Sequence, residues 1–304
     1  MSFRLLSRTS ISHDKTRTMT FLRHRFATSS FACNRISLAQ AIHIMTCSLI
    51  AISISIAMPG ESSGEDSNSS HRVLSYNIKR GYGNDGKTDL PRTADVISKL
   101  NPDFVGLQEV DERCNRSSNV DQAQWLGENL DMHAAFAPFM DYDGGRYGMA
   151  ILSRYPIEKT EAVELARGRE PRVALAAHLT LPDGNKLTLV NVHFDYIRDD
   201  TVRFEQATKV REFIQSLPNP AILLGDFNDT PESRTVKLFQ DGFVEADKPA
   251  DDPYTFSAEK PDREIDFLFA SPESQWTVKT VDVIDEPLAS DHRPVIAVFQ
   301  LKSN

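Results

Sequence analysis

Cysteine is nearly missing from this chain. There are three in 304 residues, Cys33, Cys47 and Cys114, and only Cys114 lies beyond residue 71. An internal disulfide is therefore excluded from residues 71–304, and a fold there must be held by its core. No catalytic motif surrounds Cys114, so it reads as a structural or solvent-facing thiol. Long apolar runs are missing too. The run Leu49–Met58 has ten residues, whereas a bilayer-spanning helix needs about 20. Basic charge is scarce: 34 Lys and Arg stand against 43 Asp and Glu, for a net charge of −9. That balance disfavours non-specific polyanion binding, which relies on Lys and Arg, while leaving room for a local basic patch. No segment repeats.

What charge there is divides unevenly. Residues 1–60 hold seven basic residues against the single acid Asp14, a net +6, which leaves −15 on residues 61–304. The basic stretch is followed by the apolar run and then by small residues at Ser55 and Ala57, which predicts a leader over 1–58. A secretory signal cleaved near Ala57 is the first expectation, giving an exported protein: periplasmic, extracellular or held by an anchor. The basic region is long for such a signal and points to a start downstream, such as Met19. The Arg- and Ser-rich, acid-poor composition of residues 1–40 also fits an organellar transit peptide, and an uncleaved anchor is the third reading. Residues 59–70 are Gly, Ser, Glu and Asn with little to bury, and read as a linker. Residues 71–304 have the length of one large domain.

Within that domain, apolar runs alternate with turn signals. Strands are predicted at 72–78, 103–109, 149–152, 221–224, 265–269, 277–284 and 294–301. The runs 173–181 and 186–193, flanking Pro182-Asp183-Gly184-Asn185, predict a hairpin. Helices are predicted after Pro91, over 121–130, over 201–217 and through 236–239. Strands outnumber helices, and hairpins mix with crossovers. This implies an α/β sandwich in which mixed sheets pack on each other with helices outside.

Polar residues gather where the strands stop: Asn77, Glu109, His193 with Asp195, Asp226 with Asn228, Asp266, and Asp291 with His292. Strand ends of α/β sheets are where ligand sites form. The stretch Ala221–Asn228 is the clearest case. If it stays extended past Leu224, Asp226 and Asn228 point the same way.

The segments LSYNI, GLQEVD, AILSRYPI, VNVHFD, LLGDFND, REIDFLFAS and SDHRPV, in that order, resemble the endonuclease/exonuclease/phosphatase superfamily, the DNase I-like fold. The resemblance spans about residues 71–301 and implies a four-layer α/β sandwich, two packed mixed β-sheets flanked by helices. It implies a phosphoesterase using Mg²⁺ or Mn²⁺, in which an activated water attacks phosphorus in line. Hard oxygen ligands suit such ions, and the lack of clustered Cys and His argues against zinc. Carried over by motif, Glu109 is the first metal ligand, with Asn77 and Asp291 beside it. Asp226 activates the water, Asn228 and His193 hold the phosphate, and His292 contacts a phosphoryl oxygen, buttressed by Asp266. Arg169 or Arg172 contacts substrate, and Asp195 supports a ligand or shapes its loop. Tyr254 and Phe256 either stack on a ligand or pack, packing being preferred. The substrate stays open between nucleic acid, phospholipid headgroup and sugar or inositol phosphate. No obligate protein partner is implied, and a monomer is expected. The contrasting expectation is a binding or scaffold protein that keeps the fold without turnover. Such a protein would have lost a metal or water-activating residue, and none of those motif positions is broken here.

Overall fold

The computed structural model describes residues 70–302. The leader and nearly all of the linker lie outside the described residues. The described chain runs β1 (Ser70–Asn77), α1 (Leu90–Leu100), β2 (Phe104–Glu112), α2 (Gln122–Leu130), β3 (His133–Tyr142), β4 (Gly145–Ser153), β5 (Ile157–Glu164) and β6 (Val173–Thr180). It continues with β7 (Lys186–His193), α3 (Thr201–Ser216), β8 (Ala221–Asp226), α4 (Arg234–Gln240), β9 (Val244–Glu245), β10 (Asp266–Ser271), β11 (Trp276–Val283) and β12 (Val295–Leu301). Local chemistry sets several boundaries. The carboxylate of Asp89 caps α1 by accepting from the Arg92 amide at 3.0 Å, with Pro91 in the first turn. Asn101 ends that helix in the left-handed region. The β6–β7 hairpin closes through Leu181 and Asn185, with Gly184 at φ +84°.

The strands form two six-stranded sheets, ordered β11-β12-β1-β2-β4-β3 and β5-β6-β7-β8-β10-β9. Both are mixed: β1–β2 and β7–β8 pair in parallel, and the other ladders are antiparallel. Three apolar layers glue them. Val73, Phe104, Ile151, Leu189, Leu224 and Phe299 fill the space between the sheets. Leu74, Ile97, Leu107 and Leu126 join the first sheet to α1 and α2. Val190, Val210, Leu223, Phe227 and Phe239 join the second sheet to α3 and α4. Each large side chain so buried contributes about 1.5–3 kcal/mol. The result is the expected four-layer sandwich. Among the described residues, no helix is long and apolar enough to cross a membrane.

Three strands were not predicted: β3, β5 and the two-residue β9. β3 contains Pro138 at an irregularity in its pairing, and β5 is an edge strand with mostly exposed residues. A polar link joins the sheets within their core. Gln108 of β2 donates to the Asn191 side chain of β7 at 2.7 Å, and Asn191 donates to the Leu107 and Ala150 carbonyls. Gln108 Oε1 has no partner among the described residues, but the bonds that are made fix how one sheet lies on the other.

Candidate active site

Strand alternation explains why polar residues converge. In β1, β7, β8 and β10, the residues facing the other sheet are Val73, Leu189, Leu224 and Leu268. Continuing each strand with a period of two brings Asn77, His193, Asp226 and Asp266 onto that same face. The ends of the parallel strands lie level, since His193 pairs with Asp226 and Asn77 with Gln108. Antiparallel β10 starts with Asp266 opposite Asp226, and His292 lies three residues before β12. The inter-sheet core thus ends in a polar cluster rather than in more apolar residues.

Glu109 reaches the cluster by a different route. The expected strand stop at Glu109 is not found, because β2 continues to Glu112. Strict alternation would turn Glu109 outward, toward the helix layer. Instead the ladder slips between Leu107 and Val110, inserting one residue, and Glu109 adopts φ +58°. This bulge re-aims its carboxylate into the cavity. Asn228 is likewise not on an extended strand. It sits at φ +51°, its amide N–H donates to Asp226 Oδ1 at 2.9 Å, and its side chain donates to the Phe194 carbonyl at 3.1 Å. The turn is pinned by Phe227, whose ring packs against Phe194, Phe267 and Phe239 with centroids 5.1–5.5 Å away. Gly225 is required before it: φ is +145°, and a Cβ would run into the Val192 carbonyl oxygen.

The cluster is tightly wired. Asn77 donates to Glu109 Oε1 at 3.2 Å and to Asp226 Oδ2 at 3.1 Å. The same Asp226 oxygen lies 3.5 Å from His193 Nε2 and 3.6 Å from His292 Nε2. His292 Nδ1 faces Asp266 Oδ2 at 2.9 Å. Burial raises the pKa of Asp226; the His292 charge opposes this and the Asp266 charge adds to it. Burial works against a charged His292, but Asp266 and Asp226 more than reverse it and raise its pKa, so the ring is an imidazolium. His193 goes the other way: burial first, then the charges of Arg172 and His292, hold it well below the usual histidine value, so it is neutral. Asp226, Asp266 and His292 are close enough to ligate an ion. A proton fills that role better, because an imidazolium already lies between the two carboxylates.

A cavity of about 360 Å³ opens over this cluster, lined by Glu109, Asp226, Asn228, His193, Asp291, His292 and Arg172, with Tyr147, Glu170, Tyr196 and Phe256 completing it. Arg172 is 3 % exposed, pairs with Glu170 at 3.2 Å and lies over the Phe139 ring. Its Nε and Nη1 have no hydrogen-bond partner among the described residues. Three candidate residues have partners of their own. Arg169 does not line the cavity; its amide donates to Asp195 Oδ2 at 2.8 Å. Asp195 does not line it either, and its carboxylate accepts from the Arg169 and Ile197 amides, shaping that loop. Asp291 does line it, but its Oδ2 is paired with the Lys79 ammonium at 2.7 Å. Phe256 packs on the His292 ring at 4.9 Å, whereas Tyr254 is exposed. Tyr147, Glu170 and Tyr196 were missed by sequence reasoning. Tyr196 directly follows the VNVHFD motif, which was a usable signal; Tyr147 and Glu170 carried none.

Carboxylates, an amide and two histidines at one end of a two-sheet sandwich define the DNase I-like class of fold. The profile of the Endonuclease/Exonuclease/phosphatase family matches residues 74–292, and the chain belongs to that family. YbhP of Escherichia coli (strain K12) is 26% identical over 250 residues, covering 76% of this chain and 97% of YbhP. Among solved structures, an endonuclease/exonuclease/phosphatase family protein from Bacteroides thetaiotaomicron superposes with TM-score 0.65 at 22% identity, covering 78% of this chain and 99% of that one. A mannosyl-6-phosphatase from the same organism gives TM-score 0.61 at 23% identity, over 75% and 99% of the two chains. These two structural likenesses speak for the fold. Family membership places the chain in a phosphoesterase and nuclease class of hydrolases.

Proposed function

We propose that the protein is a divalent-metal-dependent phosphoester hydrolase acting in the cavity between Glu109, Asp226 and His292. The observation that carries this reading is Asp226. Its buried carboxylate has a raised pKa and is fixed by Asn77 and the Asn228 amide, with an imidazolium and a neutral imidazole on its other side. A carboxylate so tuned is a general base that takes the proton of an attacking water near neutral pH. His292 places positive charge where a phosphoryl oxygen gains negative charge, and Asp266 keeps that ring oriented and charged. Neutral His193 is suited to donate a hydrogen bond to the same phosphoryl group. Arg172 adds a buried guanidinium with unmatched donors, suited to an anion. The donor set fits Mg²⁺ or Mn²⁺ at Glu109: a hard carboxylate oxygen lining the cavity, no thiol, and both histidines engaged with Asp226, while Asn77 turns its amide nitrogen toward Glu109 and orients that carboxylate. When bound there, the ion supplies a Lewis acid for the phosphoryl oxygen.

The phosphate ester is the proposed partner, drawn from nucleic acids, phospholipid headgroups or sugar and inositol phosphates. The basic, apolar leader supports export, and nothing in the reading needs a second chain. The test is a panel of plasmid DNA, RNA, sphingomyelin, phosphatidylinositol, inositol phosphates and sugar phosphates, assayed with Mg²⁺ and with EDTA. At least one substrate should turn over with Mg²⁺, stop with EDTA and recover on adding the ion back. Turnover indifferent to EDTA, or none across the panel with the ion bound, overturns the reading.

A further inference from the structure

Among the described residues, Lys79 is the one cation directly paired with a carboxylate of the cavity rim that the hydrolytic reading leaves unused. It follows β1 by two residues, and its ammonium lies 2.7 Å from Asp291 Oδ2. Two consecutive left-handed residues, Lys79 at φ +46° and Arg80 at φ +53°, shape this turn. The Lys79 amide donates to Asn77 Oδ1 at 3.1 Å, so the turn is built on the side chain expected at the metal. The opposite partner is held as firmly. The hydroxyl of buried Ser290 donates to the Asn77 carbonyl at 2.7 Å, locking the loop that carries Asp291 onto the end of β1. The side chains of Lys79 and Asp291 are 29% and 25% exposed, so water reaches the pair without dissolving it.

We propose that Lys79 is a resident cation of this site: its ammonium occupies Asp291, leaving one divalent ion, at Glu109. This rests on the metal-dependent reading above and sharpens its stoichiometry. A tethered ammonium meets Asp291 at high effective concentration. A second Mg²⁺ must displace it, shed strongly held water and accept a site whose charge is already neutralised. The sequence alone assigned Asp291 to metal. The ion pair reassigns it to holding Lys79 beside the Asn77 and Glu109 end of the cavity.

The test is calorimetric titration of the full chain with Mn²⁺, which reads binding without turnover. The parent should bind one Mn²⁺ per chain. Lys79→Met should bind a second ion, or bind the first about 5-fold tighter or more, because one nearby positive charge is gone. Lys79→Arg should behave as the parent. Asp291→Asn should still bind one ion, within about 3-fold of the parent affinity. Two ions in the parent, an unchanged Lys79→Met, or a loss of about 10-fold or more in Asp291→Asn each overturns the proposal while leaving metal dependence standing. No Mn²⁺ binding in the parent removes the metal-dependent reading and this proposal with it.

Discussion

Replacing Asp266 by Asn tests how the charge on His292 is maintained. The change keeps the side-chain shape and removes one negative charge 2.9 Å from His292 Nδ1. A buried hydrogen bond between charged groups contributes about 1.5–3 kcal/mol. At 1.36 kcal/mol per pKa unit, its loss lowers the His292 pKa by roughly 1–2. His292 has a raised folded pKa, so its charge is present at low pH and lost as pH rises through that value. The alkaline limb of the rate profile should therefore move down by roughly 1–2 pH units. The maximal rate should also drop by about 10²-fold, the scale of losing a positioned acid–base group. Asp266 Oδ1 has no partner among the described residues, so an amide nitrogen there would be an unmatched buried donor costing about 1–3 kcal/mol of stability. Thermal unfolding of the variant separates that cost from the kinetic effect. The assay is kcat against pH on the best substrate of the panel. A folded Asp266→Asn protein with kcat within about 3-fold of the parent and an unmoved alkaline limb refutes the role given to His292.

Three further outcomes follow from the same geometry. Arg172→Ala should raise KM for a phosphate ester and the inhibition constant of inorganic phosphate by about 10-fold or more, the worth of one charge-assisted hydrogen bond, measured by steady-state kinetics. Asn191→Ala removes the 2.7 Å acceptor of the Gln108 amide, which keeps the Gly106 carbonyl, and a donor to two main-chain carbonyls, and should cost about 2–4 kcal/mol in urea unfolding without altering the metal ligands. In the metal-free protein, the stabilisation from protonated His292 is fully present below pH 6.5 and lost as pH rises through its raised folded pKa. Denaturation followed upward from neutral pH should show falling stability, and the slope should flatten in Asp266→Asn.

Much of this site could be read from the chain before any fold was known. Asn77, His193, Asp226 and Asp266 close apolar runs, and period-two alternation then forces them onto one face. Counting those runs and their turns implied mixed sheets packed on each other with helices outside, and the resemblance carried by the motifs implied the four layers. What escaped was set by tertiary pairing. The bulge at Glu109 exists because β2 must keep register with β4 on both sides of it, and no local residue marks the slip. Asn228 enters the left-handed region because Phe227 is pulled into an aromatic cluster assembled from three other segments of chain. β3 and β5 hid behind a proline and an exposed edge. Arg169 and Arg172 are three residues apart with the same chemistry. Only the burial of the second, over Phe139, separates them.

The most direct measurement of the central claim is the single-turnover rate of Asp226→Asn with Mg²⁺, beside its Mn²⁺ affinity. Asp226 is read here as the base and not as an ion ligand. The rate should fall by at least about 10²-fold while the ion still binds. A rate near that of the parent would contradict the account.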